Sequence, residues 1–134
     1  MSILSKNKKI NGANEFKKFD YIINCTGIIK HLIDPMNKET IESVRKVNTE
    51  FPRILSTALQ NTNSRVIEIG TDCVFKGNIG NYSENSEKDA IDLYGISKKM
   101  GEFESENVMR IRTSVIGLEV DRSIELLNLY FEEL

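Results

Sequence analysis

Long hydrophobic runs are missing from this sequence. No stretch of its 134 residues is apolar for long enough to span a bilayer, and the opening MSILSKNKK lacks the apolar core of a signal peptide. Charge of one sign is also scarce. Lysine and arginine number 18 against 20 acidic residues, a net charge of −2, which argues against nucleic acid or a membrane surface as partner. The two cysteines, Cys25 and Cys73, are too few for a disulfide framework or a zinc cluster. They fit a reducing, cytoplasmic setting and no bound metal. Histidine occurs once, as His31 in a loop stretch, and is given no part in the chemistry. Gly12-Ala13-Asn14 has no apolar strand before it and lacks the later glycines of a phosphate loop, so it is not a dinucleotide fingerprint.

What is present has a clear order. Residues 1–19 are polar with scattered lysines and read as a solvated tail. From Asp20 to Gly27 a short apolar run ends in small polar residues, the pattern of a buried parallel strand. Beyond Thr40, Val44, Val47, Phe51, Ile54, Leu55 and Ala58 recur at helical steps and predict one apolar stripe. Pro52 predicts a break there, with a new helix starting near Asn48 or Thr49. Asn48 itself fits either a helix cap or a group that fixes backbone near a site.

The centre of the chain is Arg65–Glu102. Val66-Ile67-Glu68-Ile69 reads as a strand that stops at Gly70-Thr71-Asp72, a loop rich in turn residues spans 78–90, and Tyr94-Gly-Ile-Ser-Lys98 opens a helix. Residues four apart share a helix face, so Tyr94 and Lys98 project into one space. An ammonium near a phenol favours the phenolate and lowers its pKa, which predicts a general acid at Tyr94. Thr71 at the strand end can hydrogen-bond a carbonyl oxygen as charge develops on it. Taken alone, Tyr-x-x-x-Lys also describes an ordinary surface pair; the order of strand, hydroxyl, loop and helix is what points to catalysis.

GTDCVFKG at 70–77, YSE at 82–84, DLYGISKKMGE at 92–102 and IRTSVIG at 111–117 together resemble the RmlD-like branch of the extended short-chain dehydrogenase/reductases, typified by the dTDP-4-dehydrorhamnose reductases. INCTG at 23–27 and VNTEFP at 47–52 extend the likeness upstream. The resemblance implies an α/β fold, a partial Rossmann-like doubly wound parallel sheet, with residues 20–134 an incomplete NAD(P)-binding domain after the 1–19 tail. It implies Thr71, Tyr94 and Lys98 as the catalytic set, and NAD or NADP beside Cys25, Thr26, Gly27, Asn48, Tyr94 and Lys98. It places Asp72, Cys73, Val74, Phe75 and Ser114 by a nucleotide-sugar substrate, with Tyr82 and Glu84 packing the loop nearby.

Family members begin with a strand-GxxGxxG-helix unit and end in a substrate lobe, so the chain is expected to be truncated at both ends. The strand Tyr21–Cys25 is then expected to lie at an open sheet edge, and to make the chain marginally stable or self-associating. Ile124, Leu126, Leu127, Tyr130, Phe131 and Leu134 suggest a closing helix with a wide apolar face. Cys73 stands where the reductases more often carry tyrosine. That leaves a sugar-nucleotide epimerase or dehydratase of the same superfamily, or a non-catalytic binding or regulatory subunit, as alternatives.

Overall fold

The computed structural model describes residues 13–114; the closing helix expected near 124–134, and Val115 to Gly117, lie outside them. Three parallel strands form one open sheet in the order β1 (Tyr21–Asn24), β2 (Arg65–Thr71), β3 (Val108–Thr113). Helical segments join each strand to the next, as parallel pairing requires. The α/β reading of the sequence and its parallel sheet are therefore correct.

β1 to β2 is spanned by α1 (Lys38–Val44), a π-helical turn (Arg45–Glu50) and α2 (Phe51–Leu59). α1 starts where the Asn37 side chain accepts the N–H groups of Glu39 (2.9 Å) and Thr40 (3.3 Å). The chain does not break at Pro52. Proline has no N–H to give the Asn48 carbonyl, and in an α-helix its ring would collide with that group. The helix widens instead, and Phe51 N–H donates back to the Lys46 carbonyl.

The widened turn corrects the expected apolar stripe. Inserting a residue's worth of rotation moves each buried position of α2 one place along, to Pro52, Leu55, Ser56 and Leu59. Ile54, counted into the stripe from the sequence, is 63% exposed. Leu55, Leu59 and Val66 form the core, with Phe16, Ile22, Phe51 and Val108 packed around them. Phe16 belongs to a short 3-10 helix, Ala13–Lys18, so the stretch read as a solvated tail is tied down at its end.

All of these helices serve one face of the sheet. Side chains alternate across a strand, and the register aligns Tyr21 and Ile23 of β1 with Met109 and Ile111 of β3 on the opposite face. There Tyr21 is 68% and Ile23 55% exposed, and Met109 and Ile111 are exposed as well. β1, expected to be buried on both sides, is covered on one only by the described residues. Among the described residues it is also an edge strand, as expected. No described helix is long and apolar enough to cross a membrane.

Candidate active site

β2 delivers Thr71 to its carboxyl end, the end at which open α/β sheets bind ligands. The buried Thr71 hydroxyl accepts the Cys73 N–H (3.2 Å), starting the turn Asp72–Val74, and lies 3.4 Å from Asp72 Oδ1. α3 (Leu93–Gly101) begins just after Asp92, whose carboxylate accepts the Gly95 N–H at 3.0 Å. That cap sets Tyr94 in the first turn and Lys98 one turn later. Gly95 brings the helix against the Asp72–Val74 turn: a Cβ at Gly95 would stand 2.3 Å from the Cys73 carbonyl oxygen.

The phenol's environment differs from the expected one. Burial raises the pKa of Tyr94; the Thr71 hydroxyl works against that, and Cys73, Asp72 and Asp92 add to it. Lys98 is not among the groups that set it, so the expected lowering by the ammonium is not found. The phenol sits among acidic neighbours in a poorly solvated place, and both disfavour the phenolate. Lys98 has its own pKa lowered by burial and by Arg110, against the opposing pull of Glu68 and Glu102.

Lys98 reaches toward β1. Its Nζ lies 3.5 Å from where a Cβ on Gly27 would sit, with Asn48 Oδ1 at 3.7 Å from the same point. Asn48 is 1% exposed and is no helix cap. Its Oδ1 accepts the Ile28 N–H (2.8 Å), while its Nδ2 donates to the Ile28 carbonyl (3.0 Å) and to Ser97 Oγ (3.0 Å). Thr49 Oγ1 donates to the Ser97 carbonyl (2.8 Å). One amide thus ties the turn after β1 to α3, one residue from Lys98, with no water between. Cys25, Thr26 and Gly27 in that turn are all exposed.

Beside Thr71 an open cleft of about 860 Å³ is lined by Asp72, Cys73, Phe75, Tyr82, Glu84 and Arg112 among others. Phe75 and Tyr82 stack with ring centres 4.7 Å apart. Val74, expected beside the substrate, is fully buried and does not line the cleft. The carbonyl of that core residue accepts the Ala90 N–H (3.1 Å). Ser114 is exposed just past β3. His31 sits in a short 3-10 turn, Lys30–Leu32, and the described residues hold no cluster suited to a metal.

Sequence reasoning missed two ion pairs. Glu68, buried in the middle of β2, receives Arg110 Nη2 at 2.7 Å. Glu102 at the end of α3 takes Arg112 in a two-pronged grip, 2.9 and 2.7 Å. Each arginine lies opposite its strand neighbour on the helix-covered face, and the charge in VMRIRT was the signal for it. A carboxylate enters such a face only when paired.

No curated protein sequence matches the chain. Its structure resembles that of a hypothetical dTDP-4-dehydrorhamnose reductase from Sulfolobus tokodaii: TM-score 0.66, 29% identity, covering 85% of this chain and 46% of that one. A dTDP-4-dehydrorhamnose reductase from Clostridium acetobutylicum gives TM-score 0.69 at 22% identity, over 90% of this chain and 44% of that one. The Bacillus anthracis dTDP-4-dehydrorhamnose reductase in complex with NADP gives 0.56 at 29% identity, over 66% and 31%. The chain therefore spans less than half the length of these relatives. The sequence itself matches the RmlD substrate binding domain family over residues 4–117, most of its length, and the chain belongs to that family.

Proposed function

We infer that this chain carries the reaction centre of an NAD(P)-dependent reductase of a nucleotide-activated 4-keto-6-deoxy sugar. The observation that supports this best is the seating of Thr71, at the carboxyl end of β2, next to the phenol of Tyr94. A raised phenol pKa keeps Tyr94 protonated near neutrality, the state a proton donor to a sugar carbonyl oxygen needs. Thr71 would hydrogen-bond that oxygen, and the cleft of Asp72, Cys73 and Phe75 would hold the sugar.

The nicotinamide, when bound, supplies the hydride. The residues around Gly27 fit the ribose beside it: the turn is exposed and free of side-chain bulk, and the half-buried Lys98 ammonium points at it. Asn48 holds the Ile28 backbone in place behind it. Ser114 is proposed to line the sugar side just past β3. No GxxGxxG loop for the pyrophosphate occurs in this sequence.

The test is to titrate the full chain with NADH and NADPH, following nicotinamide fluorescence, and then to add dTDP-4-keto-6-deoxyglucose and follow cofactor oxidation. Saturable binding with oxidation that depends on the sugar is the expected result. Binding of neither cofactor would remove the reductase reading and leave a sugar-nucleotide-binding module.

The open β1 edge supports a second property, association between copies of this chain. Among the described residues its outer backbone groups have no strand partner, and with exposed Tyr21 and Ile23 beside them they form a template for another strand. Sedimentation velocity should show concentration-dependent association that Ile23→Lys weakens. A monomer at every concentration would be incompatible with it.

A further inference from the structure

The loop between Lys76 and Ile91 has little apolar burial to hold it: Ile79, Ser83, Asn85 and Glu87 are all exposed. Its base is pinned by Lys76 N–H to Asp89 Oδ1 (2.7 Å) and by Ala90 N–H to the Val74 carbonyl. The part that walls the cleft, Tyr82 to Glu84, has bonds within the loop, Tyr82 Oη to Asn78 Oδ1 (3.0 Å) and Ser83 N–H to Ser86 Oγ (2.9 Å), and one guanidinium ties it to the sheet. Arg112 donates Nη1 to the Glu84 carbonyl (3.3 Å) and lies over the Phe75 ring at 5.4 Å, the ring on which Tyr82 stacks.

Arg112 is itself fixed. Its other nitrogens grip Glu102, whose side chain is 4% exposed and which also takes Lys88 of the loop at 2.6 Å. A planar guanidinium held at two points loses its freedom to swing. Burial pushes the Glu102 carboxyl up, but the hydrogen bonds from Arg112 and Lys88 outweigh it and hold its pKa below the ordinary value. Lys98, the other cation facing Glu102, is stabilised by it in turn. The anchor is therefore complete above the ordinary carboxylate range and is lost only as pH falls through the lowered value. Glu102 follows the last residue of α3, whose first turn holds Tyr94, so the cleft wall is indexed to the proton donor by a single rigid element.

We propose that Arg112, clamped by Glu102, is a positioning residue that holds the Tyr82–Glu84 wall of the cleft and so sets affinity for the sugar nucleotide rather than the rate of proton transfer. The part about affinity rests on the reductase reading; the part about the loop does not. Arg112→Lys keeps the charge and loses the fork and the flat face. In the full chain it should raise KM for the sugar on the order of tenfold, the effect of losing about one charge-assisted hydrogen bond, with kcat little changed. Amides from Tyr82 to Glu87 should exchange hydrogen about tenfold faster, while those of α2 and β2 keep their rates.

Should Arg112→Lys not fold, Glu102→Gln keeps Arg112 and removes the charge that clamps it, and must speed exchange in the same amides. Unchanged loop exchange overturns the proposal. So does acceleration spread evenly over the core, or a fall in kcat at constant KM. If the unaltered chain shows no turnover, the reductase reading fails while the exchange data still decide the loop's anchor.

Discussion

Tyr94→Phe should lower turnover by about 10²–10⁴ and leave folding and cofactor binding close to unchanged. The size is what a positioned proton donor contributes, about 3–5 kcal/mol of barrier. The selectivity follows from the surroundings. The ring keeps its volume, so the half-buried site is not emptied. Thr71 retains the Cys73 N–H and its proximity to Asp72 when the phenol oxygen is gone, so no buried polar atom is orphaned. The helix cap at Asp92 does not involve the hydroxyl. The measurement is kcat with the sugar and NADPH, beside the thermal midpoint of each protein. In the unaltered chain the rate should fall as pH rises through the phenol's pKa, because the donor is then spent. Burial places that fall above the ordinary tyrosine range. Full turnover by Tyr94→Phe would take Tyr94 out of the reaction.

The parts legible in the sequence were those written in local patterns. β2 ends at Thr71 because an apolar, β-branched run meets Gly70 and a threonine that starts the next turn. α3 starts where Asp92 can cap it, and the Tyr94–Lys98 spacing follows. The phenol's pKa was misjudged because helical spacing fixes a face but not the tip of a flexible side chain. Lys98 extends toward Gly27, and the phenol's own neighbours are acidic. Val74 looked like a site residue because it lies between Cys73 and Phe75, yet the 3-10 turn directs it inward. Ile54 was misplaced by a π turn that follows from a collision at one proline, a three-dimensional event with no periodicity of its own. Glu102 and Arg112 are ten residues and a strand apart, and nothing local joins them.

Gly101→Ala should destabilise the chain by about 1–3 kcal/mol, the usual cost of forcing a methyl into a filled interior. At an ordinary helix position this exchange stabilises, by up to about 1 kcal/mol. The sign here is decided by what the methyl meets. A Cβ at Gly101 would lie 2.1 Å from the Asn48 carbonyl oxygen, 3.2 Å from its carbon and 3.4 Å from Thr49 Cα. All three are backbone atoms of the π turn, which cannot rotate aside as a side chain could. That turn is already widened at Pro52, and its Asn48 amide holds both the Ile28 backbone and Ser97. Pushing α3 away from it must loosen those bonds, so the loss should spread from stability to the Gly27 turn and weaken cofactor binding. Urea unfolding would read the first effect as a lower midpoint at constant slope, and nicotinamide titration the second. A midpoint equal to or above that of the unaltered chain would mean the two segments can part at no cost, and the close approach of α3 to the π turn would lose its structural meaning.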